Sequence, residues 1–351
     1  MIKLRVGIHG LGRIGRAVFR IQHDRRDFDI VLINEINPDI HNIAYLLNHD
    51  SLYGGLKPPI QVKQQQLCQG AQMIAVSHCP DITQAPWQAH GVDVIVDASG
   101  TDNAERLAHW HNFPGWTIST HACHRQQLHT IVFGVNEQTF QPALQRRLSS
   151  SICDTVALAP LVKLLEQHYG IAHGRLTTLH PCLSSQNLLD SAALAGSAHD
   201  DTLSHYTLGR SALNNLLPKT TSAVLAADAV LPGLSTRMQG FSYRVPTSSV
   251  SSAVLDVSLC HPATVDTVHQ HLHTLAQQQR HAIIQLDTTP KVSQDYCGNA
   301  HSVCVDQRWT TIQAEQQLRL VYWYDNEWGY SARVVDLIGE IARHASASGQ
   351  A

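Results

Sequence analysis

Residues 4–16 read Leu-Arg-Val-Gly-Ile-His-Gly-Leu-Gly-Arg-Ile-Gly-Arg, and residues 30–35 read Ile-Val-Leu-Ile-Asn-Glu. Leu4–His9 has the apolar character of a short strand. Gly10, Gly12 and Gly15 follow, and a helical pattern opens at once and carries through Phe19 and Ile21. Ile30–Ile33 is a second strand, ending on Asn34-Glu35. Each part of this unit has a physical job. Gly10 permits a tight turn, Gly12 lets backbone amides approach a pyrophosphate, and Gly15 lets helix and strand pack closely. The helix start, with Arg13 and Ile14, attracts the phosphates through its partial positive charge. Glu35 can accept hydrogen bonds from an adenosine ribose, and its charge would repel a 2′-phosphate, so the cofactor expected is NAD rather than NADP.

Outward from this unit, strands and helices alternate: a helix over Ile40–Leu47, a polar irregular stretch over Gln61–Gly70, and strands at Gln72–Ser77, Asp93–Ala98, Trp116–Ser119 and Thr130–Gly134. Such alternation predicts a mostly parallel sheet with covered faces, an α/β Rossmann dinucleotide-binding domain. The pattern stops near residue 150. Beyond it, Gly174–Cys182, Gln239–Pro246, Ser251–Cys260 and Arg308–Tyr324 read as longer strands of alternating polarity, and Val265–Gln278 as a helix. This is an α+β catalytic domain with a mainly antiparallel sheet. Ser184–Leu217 is long and weakly periodic, the kind of loop that is usually functional or mobile. A last helix spans Asn326–His344, followed by a tail, Ala345–Ala351, expected to fray. The domains predicted are 1–151 with 326–351, and 152–325.

The chain has 351 residues and a formal net charge of −3, so no basic field points to nucleic acid or an anionic membrane. No apolar run has the length of a membrane span. Met1–Val6 leads straight into strand pattern without a signal peptide, and a cytoplasmic protein is the expectation. Eight cysteines are scattered with no C-x-x-C pair, which fits reduced thiols. His121-Ala122-Cys123-His124 and Cys260-His261 match no common metal spacing, so no metal is expected. His269, His271 and His273 read as a solvated surface.

Ser149-Ser150-Ser151-Ile152-Cys153-Asp154-Thr155 ends a run of small residues on a cysteine. Val156, Leu158, Leu161, Leu164 and Leu165 then recur at helical spacing up to Gly170, which puts Cys153 at a helix start. The partial positive charge there favours thiolate, the nucleophilic form. On its own, a cysteine in this place reads more readily as a small buried hydrophobe.

Further motifs decide between these readings: His49-Asp50-Ser51, Leu158-Ala159-Pro160, Thr177-Thr178-Leu179-His180, Phe241-Ser242-Tyr243-Arg244-Val245-Pro246-Thr247 and Trp323-Tyr324-Asp325-Asn326-Glu327-Trp328-Gly329-Tyr330. With the glycine turn and the Cys153 segment, they make the chain resemble the glyceraldehyde-3-phosphate dehydrogenase family, including its erythrose-4-phosphate dehydrogenase branch, over nearly its whole length. The resemblance implies a homotetramer in which Cys153 attacks a short, phosphorylated aldehyde and His180 takes the proton. It assigns Asn326 to the nicotinamide carboxamide, Tyr330 to the side of that ring, and Ser119 to a hydroxyl near the cofactor. It assigns Arg244 and Thr221 to anion binding, and Arg210 to a nearby loop arginine.

The sequence departs from the family's pattern around the anion sites. Ile152 and Asp154 stand where hydroxyl residues flank the cysteine, Leu183 replaces a threonine, Leu208 an arginine, and Ser222 a glycine. Ser150 and His9 replace asparagines, and the segment between His180 and Thr221 is lengthened. Asp154 carries the most weight. Two like charges about 4 Å apart at an effective dielectric near 20 repel by about 4 kcal/mol. A carboxylate there disfavours bound phosphate and raises the thiol pKa. Turned away, it is an ordinary first-turn acid complementing the helix dipole. Three readings stay open: the ordinary phosphorylating dehydrogenase, a hydrolytic dehydrogenase of an anionic aldehyde, and a cofactor-binding paralogue with a regulatory role.

Overall fold

The computed structural model describes residues 3–123, 127–192 and 206–347. The chain divides into two units, Met1–Ile152 with Tyr330–Ala351, and Cys153–Gly329.

In the first unit, seven parallel strands stand in the order His129–Thr130, Arg147–Ser149, Trp116–Ser119, Val94–Asp97, Arg5–His9, Asp29–Asn34, Gln72–Ser77. Val94–Asp97 and Trp116–Ser119 are buried at every position, as strands covered on both faces must be. The strand order reverses beside Arg5–His9, and ligands of doubly wound sheets bind beyond the strand ends at such a reversal. The chain turns there through Gly10, whose φ is +87°. A Cβ on Gly10 would lie 2.4 Å from the Ser99 Cα, and one on Gly15 would lie 2.1 Å from the Gly10 carbonyl oxygen. The helix Arg13–Arg25 therefore packs onto the turn only because both side chains are missing.

The second unit carries a sheet in the order Leu217–Thr220, Met238–Arg244, Ile171–His180, Ser251–Leu259, Gln317–Tyr324, Val303–Asp306, Ile284–Asp287. Two pairings are parallel, Ile171–His180 with Met238–Arg244 and Ile284–Asp287 with Val303–Asp306; the others are antiparallel. The helix Cys153–Tyr169 is buried without interruption from Asp154 to Val162. Its segment Val156–Val162 is apolar all round and belongs in a core.

Several expectations need correction. Gln61–Gly70 is not irregular: Gln61–Lys63 and Gln66–Gln69 form a hairpin, turned by Gln64 and Gln65 at positive φ, that extends the first sheet. Thr130–Gly134 shrinks to the strand His129–Thr130. Arg308–Tyr324 is broken at Ala314 and Glu315, both at positive φ, into Thr311–Gln313 and Gln317–Tyr324. His269 and His271 are partly buried, and His271 stacks on His168 at 3.7 Å while meeting the Tyr169 hydroxyl at 2.9 Å. The last helix spans Trp328–Ala347, so Ala345, which is buried, is still helical; 348–351 lie outside the described residues. The centre of the long loop, 193–205, including Ala195–His199, lies outside the described residues, as does His124.

Gly15→Ala should cost about 1–3 kcal/mol through overpacking and lower the melting temperature by about 2–4 °C for each kcal/mol. Gly12→Ala, whose Cβ meets only the Ala98 carbonyl at 3.9 Å, should cost under about 1 kcal/mol. Equal melting temperatures for the two variants would contradict the close approach at Gly15.

Candidate active site

The candidate cofactor cradle lies in the first unit. Gly12 is the N-cap of the Arg13–Arg25 helix, and no side chain caps the helix and no acid stands in its first turn. The first amides of a helix have no intrahelical acceptor, so a helix start of this kind can offer amides to an anion. With almost nothing within 4 Å of a Gly12 Cβ position, a phosphate can approach this backbone. The Arg13 guanidinium is drawn aside by Asp50 at 2.5 Å. Glu35 accepts from Leu11 N at 2.7 Å and Asn37 N at 3.0 Å, one bond on each oxygen. Each oxygen keeps a lone pair for a ribose hydroxyl. These residues fit a dinucleotide without a 2′-phosphate.

Ser119 is fully buried at the end of its strand, and its Oγ accepts from His121 N at 3.2 Å. Tyr330 donates to the Ser151 carbonyl at 2.9 Å and lies 2.7 Å from Ser150 Oγ. Ser151 has φ +60°, the left-handed region that non-glycine residues rarely occupy. Its amide donates to Ser149 Oγ at 3.0 Å. Two hydroxyls thus hold a strained turn immediately before Cys153, a feature no residue pattern announced.

In the second unit, Asn326 sits on a turn fixed by Asp325, whose carboxylate accepts from Glu327 N (3.0 Å), Trp328 N (2.9 Å) and Gly298 N (2.7 Å). The Asn326 Oδ1 is buried with no donor among the described residues. A carboxamide N–H would satisfy it.

Cys153, Asp154 and His180 converge. Cys153 is the first residue of its helix and remains partly exposed. Its Sγ lies 3.8 Å from His180 Nε2 and 3.4 Å from Asp154 Oδ1. His180 ends the strand Ile171–His180, and the register places it beside Arg244 at the end of the parallel neighbour. His180 Nδ1 lies 3.0 Å from the Pro181 carbonyl oxygen. That oxygen only accepts, so the ring proton is on Nδ1 and Nε2 presents its lone pair.

Asp154 does not face away as a plain first-turn acid would. It is 8 % exposed, accepts from the Tyr324 hydroxyl at 2.8 Å and from Thr221 Oγ1 at 3.4 Å, and lies 3.9 Å from His180 Nε2. Tyr324 is the member of this site that sequence reasoning missed, although it stands inside a quoted motif. The Cys153 thiol is pushed well above its ordinary pKa, by burial first and then by the Asp154 charge, with Arg244 opposing. His180 is pushed down to about 4, by burial first and then by Arg244. At neutral pH the pair is therefore thiol and neutral imidazole. The Arg244 Nε and Nη1 are buried without an acceptor among the described residues, so an anion would find two donors. Arg210 is exposed and its guanidinium is held by Asp190 at 2.9 Å. The sulfur, oxygen and nitrogen of Cys153, Asp154 and His180 lie within 4.8 Å of one another, a donor set able to hold a thiophilic cation that the cysteine and histidine spacings did not signal.

Alkylation of Cys153 by iodoacetamide should be slow at neutral pH and rise about tenfold per pH unit as thiolate forms. Asp154→Asn should move that rise to lower pH and speed the neutral reaction about tenfold. A variant no faster than the wild type would show that the sulfur does not feel the carboxylate.

Two family models match the chain: "Glyceraldehyde 3-phosphate dehydrogenase, NAD binding domain" over residues 4–105, and "Glyceraldehyde 3-phosphate dehydrogenase, C-terminal domain" over residues 152–326. Glyceraldehyde-3-phosphate dehydrogenase 1 of Bacillus subtilis is 34% identical over 342 residues, 97% of this chain and 98% of the relative. The Geobacillus stearothermophilus enzyme is 34% identical over 343 residues, with the same two coverages. Glyceraldehyde-3-phosphate dehydrogenase 1 of Schizosaccharomyces pombe is 31% identical over 338 residues, 96% and 98% of the two chains. With the glycine cradle and the paired cysteine and histidine in place, the chain belongs to the glyceraldehyde-3-phosphate dehydrogenase family and is an NAD-dependent oxidoreductase.

Proposed function

We propose that this enzyme oxidises a short phosphorylated aldehyde, of the glyceraldehyde-3-phosphate or erythrose-4-phosphate type, through a covalent intermediate on Cys153. Residues 1–151 and 326–351 bind NAD in this reading and residues 152–325 carry the chemistry; the protein works as a cytoplasmic homotetramer, as its relatives' family implies. NAD, when bound, supplies the hydride acceptor. Gly10, Gly12, Arg13, Ile14, Gly15, Glu35 and Ser119 hold it, with Asn326 and Tyr330 at its nicotinamide end.

Cys153 Sγ adds to the aldehyde carbon, and the thiol proton ends on the new hydroxyl, giving a thiohemiacetal. His180 Nε2, unprotonated and 3.8 Å from the sulfur, takes that hydroxyl proton as the carbon is oxidised. A thioester remains on Cys153. Arg244 anchors the substrate anion through its buried, charged Nε and Nη1 donors. The observation that carries this reading is the buried, unsatisfied guanidinium of Arg244 in register with a base that faces a thiol. A bare cofactor binder needs none of the three.

NADH formation from these aldehydes should be lost in Cys153→Ser and fall about 10²–10⁴-fold in His180→Asn. Arg244→Gln should raise KM for the phosphorylated aldehyde about tenfold or more and leave KM for an uncharged aldehyde unchanged. Equal losses with both aldehydes would remove Arg244 from anion binding.

A further inference from the structure

We infer that the acyl group leaves Cys153 to water, with Asp154 as the base, so that the product is a carboxylic acid and not an acyl phosphate. The inference rests on the Cys153 thioester proposed above.

Three observations carry it. A buried carboxylate stands 3.4 Å from the sulfur, where an attacking phosphate would have to place its own negative charge. The hydroxyl of Thr221 donates to Asp154 Oδ2 and accepts from Ala223 N at 3.2 Å, so it is already engaged. The residue before the cysteine is Ile152, which has no donor side chain. Immediately beside the sulfur the site thus repels an attacking anion and accepts hydrogen bonds, while Arg244 is taken by the substrate's own anion.

The acceptor becomes available when it is needed. In the resting site the Cys153 thiol and the Tyr324 hydroxyl both donate to Asp154 Oδ1. Acylation removes the thiol hydrogen. Tyr324 still donates, and lone pairs on Asp154 next to the thioester are left without a donor. A water molecule donating there lies beside the acyl carbon. Its oxygen bonds to that carbon as the carbon–sulfur bond breaks, and one of its protons passes to Asp154. The departing thiolate takes that proton back, which restores the starting hydrogen bond. Thioester plus water gives acid plus thiol, with no change of oxidation state and no further reactant. Asp154 is here a catalytic residue, and Tyr324 a positioning residue that fixes Oδ1 by donating to it at 2.8 Å.

The test separates this step from oxidation by acylating Cys153 with 4-nitrophenyl acetate, which needs no NAD. In phosphate-free buffer the wild type should turn over steadily. Asp154→Asn should release one equivalent of nitrophenol and then deacylate about a hundredfold more slowly. Asp154→Thr should deacylate slowly in water and be accelerated about tenfold or more by inorganic phosphate. Tyr324→Phe should slow deacylation without abolishing it and leave the initial release of nitrophenol unchanged. With NAD and a phosphorylated aldehyde, the wild type should form NADH and a carboxylic acid without phosphate. A wild-type acetyl-enzyme that is stable in water and released by phosphate as acetyl phosphate overturns the inference and leaves the thioester reading standing. An Asp154→Asn protein that deacylates as fast as the wild type does the same. Failure of Cys153 to acylate, with no NADH formed, removes the thioester reading itself.

Discussion

A carboxylate 3.4 Å from a thiol sets the chemistry of this site. Two fields meet at Cys153. The helix start favours thiolate by about 0.3–1 kcal/mol, at most about 2. The Asp154 charge at that distance opposes it by about 5 kcal/mol at an effective dielectric near 20. Burial, the larger cause, and the carboxylate together outweigh the helix start and Arg244, so the sulfur keeps its proton, and burial keeps His180 neutral. In the reaction proposed above, nucleophilicity then comes from proton transfer during attack, not from a standing thiolate and imidazolium pair.

The fold makes this arrangement hard to escape. His180 and Arg244 are neighbours because their strands pair in parallel register. Thr155 Oγ1 donates to the Ala223 carbonyl at 2.9 Å, tying the start of the Cys153 helix to the segment that bears Thr221. Tyr324 comes from a third element and reaches the same carboxylate. Three strand or turn segments and one helix therefore share Asp154, and its side chain has little freedom to rotate away.

Much of this was legible in the chain itself. The glycine spacing predicts the tight turn and the close helix packing found after the first strand, because a side chain at Gly10 or Gly15 would meet backbone there. The small-residue run before an apolar helix locates Cys153. What stayed hidden has physical reasons. A first-turn acid serves a dipole or a site equally well, so the direction of Asp154 was decided by Tyr324 and Thr221, distant in sequence. Glutamine-rich strands such as Gln61–Lys63 and Gln66–Gln69 lack the β-branched alternation that marks a strand. His271 was misread because its burial comes from His168 and Tyr169 on another helix. The left-handed Ser151 has no signature, since its conformation is imposed by its partners.

The protonation state of the resting site can be read directly from thiolate ultraviolet absorbance, as the difference between wild type and Cys153→Ser across a pH titration. This account predicts no thiolate signal from Cys153 at neutral pH, with the signal emerging only well above the ordinary thiol range. A thiolate already present at neutral pH and persisting into mild acid would contradict it, because the sulfur would then be paired with a charged imidazole and Asp154 would hold no control over it.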